Sequence, residues 1–394
     1  MISVQKAREQ ITRLYRRMQT KSIPLSESLG KVLANDLYAS FDLPHFAQSS
    51  VDGYAVALVD HTTDQFELVK EESSAGCPAT AILKPGQALR IFTGASVPVG
   101  ADAVVMQEKI TRQENNIIIQ GTLPEASLNI RQPGSDLQEN ELALPAGTRI
   151  NPPKIGLMAS LGIREIPVFA SPVVSILITG NEFSEPGQPL YDGIIYESNS
   201  YILDAALRQT GVDDIKIKRI KDDPASILDA IEEALRISDI VLITGGVSVG
   251  DYDYTVQAAE KAGVKQIFHK IAQRPGKPMY FGMKEDIYVF GLPGNMSSVL
   301  TCFYMYISPL IAYMQDVPNP VKTIEATISE EVKSPEGLTS FWKGFYKDGY
   351  VKTLPGQESY KLKSYADANC LIEIPEHITR AEKETNIIIH LLPD

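Results

Sequence analysis

Cysteine is scarce in this chain of 394 residues: Cys77, Cys302 and Cys370 are an odd number spread far apart. They form none of the close pairs that zinc sites or thioredoxin-like chemistry use, and they read as buried or inert thiols. Histidine is nearly as sparse. His45, His61, His269, His377 and His390 include no pair at helical ligand spacing, so any metal here should be a hard cation on oxygen ligands. Positive charge is in deficit, with 37 Lys and Arg against 49 Asp and Glu and a net charge of −12. No basic run reaches five residues, which makes nucleic acid a poor partner. Long apolar runs are missing as well. The longest, Phe303 to Met314, is interrupted by Ser308 and Pro309 and is too short for a bilayer, and the N-terminus lacks a basic-then-apolar signal segment. The expectation is a cytoplasmic protein with no membrane partner.

What is present describes a folded protein of several domains. Hydrophobic residues make up 44% of the chain, and 27 Gly and 25 Pro are ordinary numbers for its length, which excludes disordered and collagen-like classes. A single core rarely grows past about 250 to 300 residues, so two to four domains are expected. Val4, Ala7, Ile11, Leu14 and Met18 predict an amphipathic helix over Ser3 to Met18, and a second short helical pattern runs from Glu27 to Leu37. From about Asp42 to Pro133, short apolar runs separated by Gly, Pro and Asn predict a small β domain. From Pro172 onward β and α alternate, with the apolar run Val173 to Thr179 reading as a strand buried on both faces. The alternation predicts a largely parallel sheet with helices on both faces, whose ligands sit at the carboxyl ends of its strands. Beyond Asp316 the pattern returns to strands and predicts a second β domain, a barrel or sandwich.

Three turns in the α/β region can bind oxyanions. Gly245-Gly246-Val247-Ser248-Val249-Gly250 has the glycine separation of a phosphate loop, but Asp251-Tyr252 stands where that motif needs Lys and Ser or Thr. It is therefore either a backbone anion site, with Ser248 as donor and Mg²⁺ between the ligand and Asp251 and Asp253, or a solvated acidic turn capping a helix. Gln273-Arg274-Pro275-Gly276-Lys277-Pro278 puts two cations on a rigid turn, with Lys270 just upstream; an exposed basic turn is the alternative. Gly291-Leu292-Pro293-Gly294-Asn295 opens a helix whose N-terminal N–H groups suit phosphate, although Pro-Gly-Asn is also ordinary turn chemistry. Glu182 and Asp222 each follow a buried strand, where carboxylates converge on one rim; Asp222 serves equally as a helix-capping partner and Glu182 as a solvated loop residue. Together these groups suggest a phosphate-bearing ligand bound with Mg²⁺.

The ordered set Ser50-Val51-Asp52-Gly53-Tyr54-Ala55, Thr93-Gly94-Ala95, Thr179-Gly180-Asn181-Glu182, Asp222-Asp223-Pro224, the loop from Gly245 to Gly250, Pro275-Gly276-Lys277-Pro278 and Gly291 to Asn295 resembles the MoeA-type molybdopterin molybdenumtransferases. That family includes the E domain of gephyrin, and the resemblance spans essentially the whole chain. It implies an elongated multidomain chain of α/β plus β class. Residues 1–41 with 134–172 would form an elongated dimerisation domain, 42–133 an inserted β domain, 173–315 a central α/β molybdopterin-binding domain with a mostly parallel sheet, and 316–394 a C-terminal β-barrel-like domain. It further implies a homodimer whose cleft includes the β domain of the other subunit, and a molybdopterin adenylyltransferase as partner. The implied reaction converts adenylylated molybdopterin and molybdate to molybdenum cofactor and AMP with Mg²⁺; a non-catalytic molybdopterin-binding or scaffold paralogue is the alternative.

By the same resemblance Asp52, Glu182, Asp222 and Asp253 would be catalytic, the last three as metal ligands. Thr93, Asp136, Gly245, Gly246, Ser248, Lys270, Arg274, Lys277, Pro278, Gly294, Asn295, Lys343 and Ser359 would bind the substrates. The chain departs from the usual pattern at Val51 for Met, Asn181 for Asp and Met296 for Pro, and exchanges Lys and Arg at Arg274 and Lys343.

Overall fold

The computed structural model describes residues 1–58, 63–246 and 254–393. They fall into two compact units, one of residues 1–22, 30–34 and 167–394, the other of residues 23–29 and 35–166.

The second unit is built on a six-stranded sheet in the order Ala103–Met106, Gly53–Val56, Gln87–Ile91, Gln65–Ser73, Asn116–Ile119, Ile110–Gln113. Only the Gln65–Ser73 and Gln87–Ile91 pair is parallel. Alternation places Tyr54, Val56, Phe66, Ala88 and Val105 in one buried cluster and Ala55, Leu89, Ile91 and Val104 in another, so the sheet is covered on both faces. Gly53 sits where a Cβ would lie 2.0 Å from the carbonyl oxygen of Val105, which is why the strand after Asp52 begins on glycine. The same unit carries the helix Pro152–Ser160, capped by Asn151 with proline at its start.

The larger unit carries the α/β sheet, with strands ordered Ile215–Ile220, Val174–Thr179, Ile240–Thr244, Ile287–Leu292, Tyr280–Lys284, Lys265–His269. The first four are parallel, Tyr280–Lys284 is antiparallel to both of its neighbours, and Lys265–His269 thus runs with the first four. Val174–Thr179 is buried at all six positions, as a strand covered on both faces must be. Ile176, Ile178 and Leu242 face a core shared with the N-terminal helix and the helix Asn199–Gln209, while Leu177, Val241 and Ile243 face the helices Pro224–Ile237 and Tyr254–Lys261. Asp223 caps its helix by accepting the Ser226 N–H at 2.9 Å.

After a loop, five strands close into a barrel: Lys322–Ile328, Tyr350–Thr353, Thr339–Lys347, Cys370–Ile374 and Asn386–Leu391, the last pairing back with the first. Closure leaves these strands without a free edge. The two-residue strand Gln273–Arg274 pairs in parallel with Thr339–Ser340 and so ties a turn of the α/β region to this barrel.

Three expectations change. The first helix spans Val4–Leu14, not Ser3 to Met18. It stops because the Tyr288 hydroxyl donates to the Leu14 carbonyl and accepts from the Arg16 N–H, replacing the next helical turn. Glu27 to Leu37 is not an α-helix: a short 3₁₀ turn at Leu25–Glu27 is followed by Gly30 at a φ of 77° and by Leu33 bridging to Val168. The run thought too short for a bilayer belongs to a continuous helix of 19 residues, Met296–Met314, with a π-helical turn at Phe303–Ile307. Its apolar surface is mostly buried inside the protein, as befits a core helix. Two of the three thiols agree with their reading: Cys302 and Cys370 are buried, and burial pushes both up to about 12, whereas Cys77 is exposed.

Candidate functional site

Register decides where the turns go. In the parallel sheet Thr179 pairs with Ile220, Ile178 with Thr244, and Thr244 with Leu292. The residues that follow, Gly180-Asn181-Glu182, Lys221-Asp222, Gly245-Gly246 and Pro293-Gly294-Asn295, therefore leave the sheet at one rim. The antiparallel strand Tyr280–Lys284 starts at the same rim, since Tyr280 pairs with Gly291, and brings Arg274 to Met279 there. The result is a cleft of about 760 Å³. Thr179, Glu182, Gly245, Gly246, Arg274, Lys277, Pro278, Gly294, Asn295 and Ser359 line it, together with Asn199, Gln357 and Tyr360, which the sequence did not single out.

The rim is tightly built. Gly245 and Gly246 have φ of 89° and 64°, and a Cβ on either would fall within 2.6 Å of a threonine atom, Thr179 in one case and Thr255 in the other. The backbone can approach a ligand there as closely as glycine allows. Asn181 accepts the Asp222 N–H through Oδ1 at 3.4 Å, joining the two strand ends that carry Glu182 and Asp222. Asn199 donates through Nδ2 to the Gly294 carbonyl at 2.8 Å, and its buried Oδ1 has no partner.

The helix-opening turn differs from expectation. The Ser297 N–H donates to the Ser359 carbonyl and the Ser298 N–H to the Asn295 carbonyl, so two of the N–H groups thought available to phosphate are used inside the protein. What faces the cleft instead is side chain: Asn295, with its amide on Ser359 Oγ at 2.9 Å, and Ser298.

Lys343 is a second correction. Only 3% exposed, its ammonium donates to the carbonyls of Gly356, Glu358 and Lys361 at 2.8 to 3.3 Å and to Ser297 Oγ at 3.3 Å. Burial holds its pKa below the usual lysine value. Every donor it has is committed, so it shapes the segment carrying Gln357, Ser359 and Tyr360 rather than touching an oxyanion. Lys343→Gln is expected to destabilise the protein by about 2 to 3 kcal/mol in denaturant titrations, because buried carbonyls lose their donor. Unchanged stability with a loss confined to anion affinity would instead mean direct contact.

Lys270 stands at φ 70° beside the same turn and is not among the residues lining the cleft. Asp52, Thr93 and Asp136 belong to the other unit. Asp52 Oδ1 accepts both the N–H and the hydroxyl of Thr93, at 2.8 and 2.7 Å. The N–H bond does most to hold the Asp52 carboxyl below its ordinary value. The Asp136 N–H donates to the Leu43 carbonyl. Ser248 and Asp253 lie outside the described residues.

Among the described residues no group of three or more His, Cys, Asp or Glu side chains is placed to hold a metal. Glu182 lines the cleft, whereas Asp222, at the neighbouring strand end, is not among its lining residues; two carboxylates on one rim are a donor set of the chemistry Mg²⁺ takes when phosphates complete its shell.

Residues 2–162 match the MoeA N-terminal region (domain I and II), 175–313 the probable molybdopterin binding domain, and 325–392 the MoeA C-terminal region (domain IV). The molybdopterin molybdenumtransferase of a Nostoc species is 38% identical over 399 residues, covering 97% of this chain and 91% of that protein. The protein of the same name from Haemophilus influenzae is 35% identical over 365 residues, covering 91% and 90%. Among solved structures, the molybdopterin biosynthesis MoeA protein of Pyrococcus horikoshii superposes with a TM-score of 0.85 at 28% identity, over 99% of each chain.

Proposed function

Because the chain belongs to the MoeA family of molybdopterin molybdenumtransferases, transferases of molybdenum cofactor biosynthesis, we propose that its cleft takes adenylylated molybdopterin and molybdate and releases AMP and molybdenum cofactor. The observation that supports this most is the shared register of four strand ends, which sets the Glu182 carboxylate, a glycine turn and a cationic turn around one opening, with Asp222 at the adjoining strand end. A ligand with several negative charges needs such an arrangement in a chain of net charge −12, where surface fields decay within about 8 Å.

In this reading Arg274 and Lys277 position the anionic oxygens by charge-assisted hydrogen bonds. Gly245 and Gly246 let the backbone come close to phosphate, while Ser298, Asn295 and Ser359 offer neutral donors. Glu182 and Asp222 hold Mg²⁺. When bound, the ion withdraws charge from the phosphoanhydride and so favours AMP as leaving group. The barrel segment around Tyr360 forms one wall of the cleft. The proposal includes a cytoplasmic homodimer supplied by a molybdopterin adenylyltransferase.

The test is incubation of purified protein with adenylylated molybdopterin, Mg²⁺ and molybdate. Release of AMP together with active cofactor is expected. Absence of both removes the reading, and tight nucleotide binding without turnover makes the protein a binding or scaffold paralogue.

A further inference from the structure

The cationic turn rests on a buried polar group that the proposed chemistry leaves unused. Gln273, immediately before Arg274, is completely buried. Its Nε2 donates to the Pro275 carbonyl at 2.9 Å and lies 3.7 Å from Cys302 Sγ, while its Oε1 accepts the hydroxyl of Tyr306. Tyr306 is 1% exposed and lies in the π-helical turn of the core helix. Gly276, at φ 92°, is packed so closely on this group that a Cβ would come within 2.6 Å of both Gln273 Nε2 and Cys302 Sγ. Backbone bonds complete the frame: the Ile271 N–H reaches the Lys277 carbonyl at 2.9 Å and the Met279 N–H the Gly276 carbonyl at 3.2 Å.

We propose that Gln273 and Tyr306 are positioning residues of the cleft, fixing from beneath the turn that presents Arg274 and Lys277. The chemistry at this place is selective. One buried group must donate to a carbonyl and accept from a phenol at once, which a carboxamide does and a carboxylate cannot. A carboxylate would set an oxygen against the Pro275 carbonyl; an apolar side chain would leave both partners unsatisfied in the core. The phenol stays a donor, since burial pushes its pKa well above the ordinary value. Cations on a loop gain anion affinity when the loop is fixed before the ligand arrives, because less ordering is left for binding to supply.

As a statement about anion binding this rests on the proposed function, so the experiment has two readouts. The first is amide hydrogen exchange in the full-length protein. In Gln273→Met and Gln273→Glu the amides of Ile271 and Met279 are expected to exchange at least tenfold faster, and in Tyr306→Phe faster by a smaller factor, in each case relative to the amides of Ile176 and Leu242 in the parallel sheet, which report any global loss of stability. Tyr306→Phe combined with Gln273→Met should add little beyond Gln273→Met alone. The second is turnover with molybdate varied: KM for molybdate is expected to rise about tenfold in Gln273→Met, with kcat changed less than threefold. Unchanged exchange in all three variants overturns the inference, whatever the activity. So does a wild-type KM in Gln273→Met. If wild-type protein turns over nothing, the proposed reaction fails while the exchange result still decides the role of Gln273.

Discussion

Asp222→Ala should lower turnover by at least about a thousandfold, roughly 4 kcal/mol of transition-state stabilisation, with almost no change in melting temperature. Asp222 is exposed at the end of Ile215–Ile220, and among the described residues it bonds through its backbone N–H, to Asn181 Oδ1, and not through its carboxylate. Alanine keeps that bond. Under the proposed function, what disappears is one of the two rim carboxylates that, among the described residues, would hold Mg²⁺, and Glu182 alone would hold the ion less firmly. The neighbouring position is the control. Asp223→Ala removes a cap, since Asp223 accepts the Ser226 N–H, and should cost about 1 kcal/mol of stability while leaving turnover largely intact. AMP release and thermal denaturation on the two variants separate the roles. A matching collapse of melting temperature in Asp222→Ala would show that its carboxylate supports the fold.

The largest stability effect is expected at Glu373, far in sequence from any of the cleft motifs. Its carboxylate takes the Arg8 guanidinium at 3.0 Å and the His390 ring at 2.6 Å, and the other ring nitrogen of His390 meets Thr323 Oγ1 at 3.0 Å. Burial by itself raises the Glu373 pKa; the hydrogen bond from His390 and the Arg8 charge outweigh it and bring the carboxyl to about 2. A carboxyl depressed in the folded state contributes stability that is fully present above its unfolded value near 4.5 and is lost as pH falls toward 2. Removing it leaves Arg8 without its partner. Glu373→Gln is therefore expected to lose about 3 kcal/mol at neutral pH and to show a flatter acid limb between pH 4.5 and 2. Denaturant titrations across that range check both parts. A variant whose acid limb runs parallel to wild type would show that another carboxylate controls it.

Much of the architecture was legible because it is written in local patterns. The apolar run Val173 to Thr179 announced a strand covered on both faces, borne out by Val174–Thr179 being buried throughout, and Asp223-Pro224 marked a helix start by capping chemistry alone. The C-terminal strands showed in the alternation of Ile324, Ala326 and Ile328. The segment from Glu27 to Leu37 misled because Val32, Leu33 and Leu37 have helix-like spacing, whereas the bridge from Leu33 to Val168 is a long-range pairing that no local window contains. At the site, the glycine and charged turns were readable from composition. Asn199, Gln357 and Tyr360 were not, since only the packing of distant segments brings them to the cleft. Lys343 could have been read better: the strand alternation that turns Phe341 inward also turns Lys343 inward, and both are 3% exposed.

The rung between Gln273–Arg274 and Thr339–Ser340 has a consequence for synthesis of the protein. A nascent chain on the ribosome can complete the parallel sheet once Leu292 has emerged, yet Thr339, which pairs with Gln273, comes 47 residues later in the chain (339 − 292), and the segment that supplies Ser359 comes later still. The cleft wall is therefore complete only when translation is nearly finished, and a product truncated before Thr339 would lack the partner strand of that turn together with Gln357, Ser359 and Tyr360.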